Sequence, residues 1–360
     1  MMKTYNNIFL LCVLCVTGLS AAIMLWFQPI SGDLTRISAY PERWFGWNDP
    51  QQDITALINS ERASGKRHIL VIGDSFSEAG HWQAFLGEQY SFTFIHNSKT
   101  TLEKILSKIE KDRPDAVILE TAERAIPDMY NSGSTFLTAI NQCVLPESNQ
   151  NARTGNIKKT EGLPAFPYTN RQILPRNGSN ISEGFHTLKL WAKALISPRK
   201  RKAKTLALTQ TNLFSNQKND KILLLSKDFL LSDTADENSI HTMRCSMQKA
   251  ATTLSRVGIP YVMLTIPDKT TAYQQYLASA EIRQRPALIN RLHVDKLQHG
   301  IDMLPPIQEM AAAGYKDIYL PNDTHWGYKG FQLAAVLIDI ELASQWPAQN
   351  PPMQDSKTHD

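Results

Sequence analysis

Metal-binding spacings are missing from this 360-residue chain. Its nine histidines stand singly. No group of His, Cys or carboxylate residues recurs at the intervals a bound ion would need, which argues against a metal centre. No metal or other cofactor is called for. Cysteine is scarce as well, with four in all. A large excess of one charge is lacking: 38 Lys and Arg face 34 Asp and Glu, a net +4. No basic strip with interleaved aromatics is visible, so nucleic acid is not an expected partner. Internal repeats and low-complexity blocks are also absent, which removes repeat architectures.

Long apolar runs are absent too, with one exception. Ile8 to Phe27 carries no charge, and only Thr17 and Ser20 are polar. A helix of about 20 residues spans the ~30 Å hydrocarbon core of a bilayer. Lys3 on the short N-terminal side favours that end remaining in the cytoplasm. An uncleaved anchor is the preferred reading, because apolar residues continue past Gly18–Ala22 through Trp26 and Phe27. A cleaved signal peptide is the competing one. Either way the rest of the chain is expected outside the cytoplasm. There an oxidising compartment permits a disulfide, and Cys143–Cys245 is the one pairing open to the two cysteines beyond the apolar run. Two separate buried thiols are the alternative.

The remainder divides by pattern. Residues 29–50 read as a connector with Trp44, Phe45 and Trp47, and a helix is expected over Asp53–Ala63. Residues 51–346 read as one α/β domain. Apolar runs at His68–Ile72, Phe92–His96, Asp115–Glu120 and Tyr261–Ile266 alternate with helical spacing at Glu78–Gln89, Leu102–Lys111 and Ser239–Val257. That alternation predicts a parallel sheet with right-handed crossovers and helices on both faces. The rhythm lapses over about 144–231, which reads as an insertion. It holds a helix near Phe185–Leu195, a basic run Arg199–Lys204, and strand candidates at Thr205–Thr209 and Ile222–Leu225. Strand-like Ile318–Leu320 precedes an amphipathic helix over Gly327–Trp346, and residues 347–360 are an expected disordered tail.

Two short stretches carry the chemistry. Gly73-Asp74-Ser75-Phe76-Ser77 lies between a strand and a helix, the setting that lifts a serine Oγ clear of a sheet edge. Asp323-Thr324-His325-Trp326 supplies an imidazole and a carboxylate near the other end. Serine at its ordinary pKa is a poor nucleophile and needs a base within hydrogen-bond reach. In an open parallel sheet, loops at the carboxyl ends of the strands share one rim. On that basis Ser75 is the candidate nucleophile, His325 its base and Asp323 the orienting carboxylate. N–H groups at the start of the serine helix, around Gly73 and Phe76, are candidate oxyanion donors. Asn97, at the end of the second strand, is a further positioning candidate. The bland alternatives are a helix cap at Asp74-Ser75 and another at Asp323.

These blocks resemble those of the SGNH-hydrolase-like alginate and exopolysaccharide O-acetyltransferases of the AlgX and AlgJ type. Glu120-Thr121-Ala122-Glu123-Arg124 is similar to that family's Glu-x-x-Glu-Arg block, and Ile266-Pro267-Asp268-Lys269 with Tyr273 to its Pro-x-Lys…Tyr block. Asp302-Met303-Leu304 resembles the segment before its Asp-x-His block. The family's usual order places Asp-x-His before the serine. Here the cyclic order is kept but the serine comes first. The resemblance implies an SGNH, flavodoxin-like α/β fold and acetyl transfer to a polysaccharide through an acyl-serine. It also implies a bacterial inner-membrane protein with a periplasmic catalytic domain, served by a membrane-bound O-acyltransferase. Glu120 and Arg124 are expected to pair and hold the serine loop. Arg124, Lys269, Tyr273 and Trp326 are substrate-contact or support candidates, with Lys269 and Tyr273 equally explained by an exposed helix face. A carbohydrate esterase, and a non-catalytic glycan-binding subunit of an export complex, remain the alternatives.

Overall fold

A computed structural model describes residues 2–26, 32–38, 40–52, 64–131, 202–228 and 235–346, with a few isolated positions between them. Met2–Trp26 is one helix, and its Tyr5–Ala22 window is long and apolar enough to cross a membrane. The helices expected at Asp53–Ala63 and Phe185–Leu195, the tail 347–360, Cys143 and the first half of the basic run lie largely or wholly outside the described residues.

Five parallel strands form the central sheet: β1 (Arg67–Gly73), β2 (Tyr90–His96), β3 (Ala116–Ala122), β4 (Tyr261–Ile266) and β5 (Gly300–Asp302). Their spatial order is β2-β1-β3-β4-β5. This is the flavodoxin-like arrangement, in which connections leave β1 and β3 in opposite directions and open a crevice at their carboxyl ends. The strands read as continuous apolar runs because both faces are covered. Ile69, Val71, Ile118, Val262 and Leu264 point into one core with Trp82, Phe331 and Ile338. Leu70, Ile72, Val117, Leu119 and Met263 point into the other with Ile105, Met247 and Leu254.

Several expected elements shift, each for a local reason. The helix expected at Glu78–Gln89 is two short ones, Ser75–Glu78 and His81–Phe85, because Gly80 between them takes φ 68°. The helix Glu237–Val257 starts two residues early, where Asp236 accepts a bond from Ser239 N, and stops at Gly258 with φ 78°. Ile318–Leu320 is no sheet strand: Tyr319 bridges Trp326 across the loop that carries His325. The closing helix, Tyr328–Gln345, is not amphipathic; Gly330 through Ile338 is a run of buried residues.

The two strand candidates of the insertion are Ala203–Ala207 and Lys221–Leu225, paired antiparallel. The loop between them reaches the main core through Leu213 and Phe214. Cys245 is disulfide-bonded, to a partner outside the described residues, while Cys12 and Cys15 are free.

Candidate active site

Ser75 stands at the end of β1, at the switch point of the sheet. Three buried acceptors fix the turn beneath it. Asp74 Oδ1 accepts from Phe76 N at 3.0 Å, its Oδ2 accepts from Ala122 N at 2.9 Å, and its own N–H donates to Glu120 Oε2 at 2.9 Å. Ser77 Oγ accepts from Trp82 Nε1 at 3.0 Å, which ties the turn to the core. Gly73 is required by crowding: a Cβ there would fall on Glu120 Oε2 and lie 2.9 Å from Ser77 Oγ. Burial, then the neighbouring Asp74 carboxylate, push the Glu120 carboxyl well above the usual range.

The candidate base comes from the other end of the chain. His325 Nε2 lies 2.7 Å from Ser75 Oγ, and Nδ1 lies 2.7 Å from Asp323 Oδ1. The same carboxylate oxygen accepts from His325 N at 3.0 Å, so the two-residue spacing closes a tight ring. The loop is shaped by Leu320 N donating to His325 O at 3.0 Å and Gly327 N to Ile318 O at 2.9 Å. The imidazole packs on the buried Phe76 ring, centroids 4.9 Å apart. Burial opposes charge on His325, but the hydrogen bond and the charge of Asp323 outweigh it and raise its pKa above 6.5. Asp323 shows the converse. Burial works against its charge, yet the bonds from His325 and from Asp33 N hold it well below the ordinary carboxylate range.

The other expected residues fall out differently. Phe76 N–H, expected as an oxyanion donor, is committed to Asp74, whereas the Ser75 N–H has no acceptor among the described residues. The helix it opens has four residues, too short for an appreciable macrodipole. Asn97 is buried and its amide points to Met129 Sδ at 3.2 Å. Glu120 and Arg124 do not pair. Glu120 stays within the sheet, whereas Arg124 lies in the turn beyond it and binds Asp268 Oδ1 at 2.9 Å. Its guanidinium also sits 5.6 Å over the Phe76 ring.

Lys269 and Tyr273 are neither exposed nor free to meet a sugar, since both are buried. Lys269 Nζ donates to the carbonyls of Leu320, Pro321 and Asp323 at 2.7, 2.9 and 3.1 Å, and so props the base's loop. Tyr273 packs under that loop, with its hydroxyl 3.3 Å from Tyr319 N. Trp326 is buried against Phe76, centroids 4.7 Å apart.

One participant escaped the sequence reading. Asp33, from the segment taken for a connector, accepts from Thr324 N at 2.9 Å and from Thr324 Oγ1 at 2.5 Å. No periodicity or motif marks it. Ligand atoms of Asp33, Asp323 and His325 lie within 4.8 Å of one another, the spacing a cation would want. Each is already engaged in the hydrogen bonds above, and Nδ1 faces Asp323, so the set fits a hydrogen-bonded support for the imidazole better than a coordination shell.

Residues 218–359 match the family model described as "SGNH hydrolase-like domain, acetyltransferase AlgX". That stretch includes Asp323 and His325 and excludes Ser75, consistent with the altered order of the blocks. A "Probable alginate O-acetylase AlgJ" of Pseudomonas syringae pv. tomato is 26% identical over 139 residues, 38% of this chain and 35% of the relative. A protein of the same description from Pseudomonas fluorescens is 30% identical over 110 residues, 28% of this chain and 26% of the relative. The chain thus spans about a third or less of the length of these curated relatives. No solved structure matches it significantly. The five-stranded parallel α/β sheet is SGNH-like; residues 218–359 of this chain are similar to the SGNH hydrolase-like acetyltransferase domain, and part of the chain is distantly similar to alginate O-acetylases.

Proposed function

We propose that this chain is an exported, membrane-tethered O-acetyltransferase that acetylates a polysaccharide through an acyl-serine on Ser75. The observation that carries this reading is the continuous hydrogen-bonded path from Ser75 Oγ through His325 to Asp323, 2.7 Å at each step.

His325 Nε2 takes the Ser75 proton as Oγ attacks the carbonyl carbon of an acetyl donor. The Oγ–carbon bond forms, and the oxyanion is met by the Ser75 N–H. The leaving group departs with the proton from His325. A sugar hydroxyl, deprotonated in turn by His325, then attacks the acyl-serine, and Ser75 leaves with its proton restored. Asp323 keeps Nδ1 protonated and stabilises the imidazolium without itself taking a proton.

The helix Met2–Trp26 would hold the protein in a bacterial inner membrane with this domain in the periplasm. Acetyl-CoA is absent there, so the donor is an acyl group handed over by a partner, a membrane-bound O-acyltransferase. The His325 side chain is 28% exposed, which leaves water a route to the acyl-serine and supports a carbohydrate esterase as the second reading. Incubation with p-nitrophenyl acetate and oligosaccharides, followed by mass spectrometry of the sugars, separates the two. Acetylated oligosaccharide is expected. Release of acetate alone would favour the esterase, and folded protein that releases nothing would favour a glycan-binding subunit.

A further inference from the structure

We propose that Asp33, in the segment leaving the apolar helix, is a positioning residue of the acyl-transfer centre, which is complete only with that segment docked. The inference rests on the acyl-serine reading above.

The segment lies directly on the base's loop. A Cβ on Gly32 would collide with the Asn322 carbonyl, and Leu34 N donates to that same carbonyl at 3.1 Å. Leu34 is fully buried beside Phe45, Ala203 and Leu223. Glu42 continues the attachment, accepting from Asn322 Nδ2 through one oxygen and from Thr35 Oγ1 at 2.6 Å through the other.

These contacts place Asp33 where it grips two consecutive residues. Its N–H donates to Asp323 Oδ2 at 3.0 Å, and its carboxylate takes both the N–H and the hydroxyl of Thr324. Asp323 needs one oxygen on the imidazole. With the second held by Asp33 N, the carboxylate cannot rotate away. Thr324 is the residue between the carboxylate and the base, so fixing it fixes the turn that aims Nε2 at Ser75. Small errors of aim matter here, because a misplacement of about 1 Å can lower a rate by about a hundredfold.

Asp33 also adds charge: burial, then the Asp323 carboxylate, raise its carboxyl above the ordinary range, while the bonds from Thr324 and the facing His325 favour the anion. Its Oδ2 lies 4.0 Å from His325 Nδ1. The charged groups acting on the imidazole are Asp323 and Asp33, which favour its charge, and Arg124, which opposes it. Asp33 is itself faced by Asp323 and His325, and its field reaches Asp228 and Lys269. Asp33 follows Trp26, the last described residue of the apolar helix, by seven positions. At about 3.6 Å per residue that chain spans at most about 25 Å, so the site is tied closely to the end of the apolar helix.

The test uses the full chain with Asp33→Ala and Asp33→Asn. Labelling of Ser75 by a fluorophosphonate and the pH dependence of p-nitrophenyl acetate turnover are measured, with thermal melts as folding controls. Asp33→Ala is expected to slow labelling and kcat by about tenfold to a hundredfold, with KM changed far less. The acid limb should move to lower pH, because the imidazolium loses one of its two anions. Asp33→Asn, whose amide oxygen still accepts from Thr324, should fall between, and it decides alone if the alanine variant does not fold. Folded variants that label at the wild-type rate with an unmoved acid limb would overturn the positioning role. Wild type that resists the phosphonate would overturn the acyl-serine reading, and this inference with it.

Discussion

Asp323 and His325 stand two residues apart and close a ring on themselves, since one carboxylate oxygen serves both the imidazole Nδ1 and the main-chain N–H of the histidine. The carboxylate therefore sets the tautomer and the rotamer of the base together. Asp323→Asn should keep the shape and lose both effects, because an amide nitrogen can turn toward Nδ1. A drop in kcat of about 10²–10⁴ is expected with KM little changed, read from steady-state turnover of p-nitrophenyl acetate.

The pH profile follows from the same pair. His325 must be neutral to take the serine proton, and Asp323 raises its pKa above the ordinary 6.5. Activity should therefore rise with pH through an apparent pKa above 6.5 and be lost below it. In Asp323→Asn the residual activity should show that limb at lower pH. An unmoved limb would mean that another group titrates.

Gly73→Ala tests the packing under the nucleophile. The added methyl meets the Glu120 carboxylate and Ser77, neither of which can withdraw, since Glu120 holds Asp74 N and Ser77 is tied to Trp82. A loss of about 1–3 kcal/mol of stability is expected, measured by urea denaturation, with phosphonate labelling falling further than the folded fraction.

Lys269→Met removes the donor shared by three carbonyls of the base's loop, at a cost of about 1–3 kcal/mol for the groups left unpaired. Its amine is pushed down to about 7, chiefly by burial, against an ordinary 10.5. Between those values the unfolded chain binds this proton more tightly than the folded one. The Lys269 contribution to stability therefore rises with pH across that window. Urea midpoints of wild type relative to Lys269→Met should diverge as pH is raised from neutral toward the alkaline end of the window.

The fold was legible because its strands are buried on both faces and write themselves as runs such as Ile69–Ile72 and Tyr261–Ile266. Ser75, Asp323 and His325 were legible as candidates because strand-turn-serine and Asp-x-His are local patterns. What stayed hidden depends on distant partners. Lys269 reads as a surface residue until Leu320, Pro321 and Asp323 are seen to take its protons. Arg124 lies four residues from Glu120 but pairs with Asp268, 144 residues on. Ile318–Leu320 looks like a strand because it is apolar, yet its burial comes from an aromatic cluster rather than from sheet pairing. Asp33 meets Thr324 across 291 residues, with nothing around it in sequence to announce the contact.

The most direct test of the account is intact-protein mass spectrometry after brief exposure to p-nitrophenyl acetate, with peptide mapping of the adduct. The account predicts one acetyl group on Ser75 in wild type, none in Ser75→Ala and strongly delayed acetylation in His325→Ala. Folded wild type that gains no acetyl group, or Ser75→Ala acetylated as fast as wild type, would contradict it.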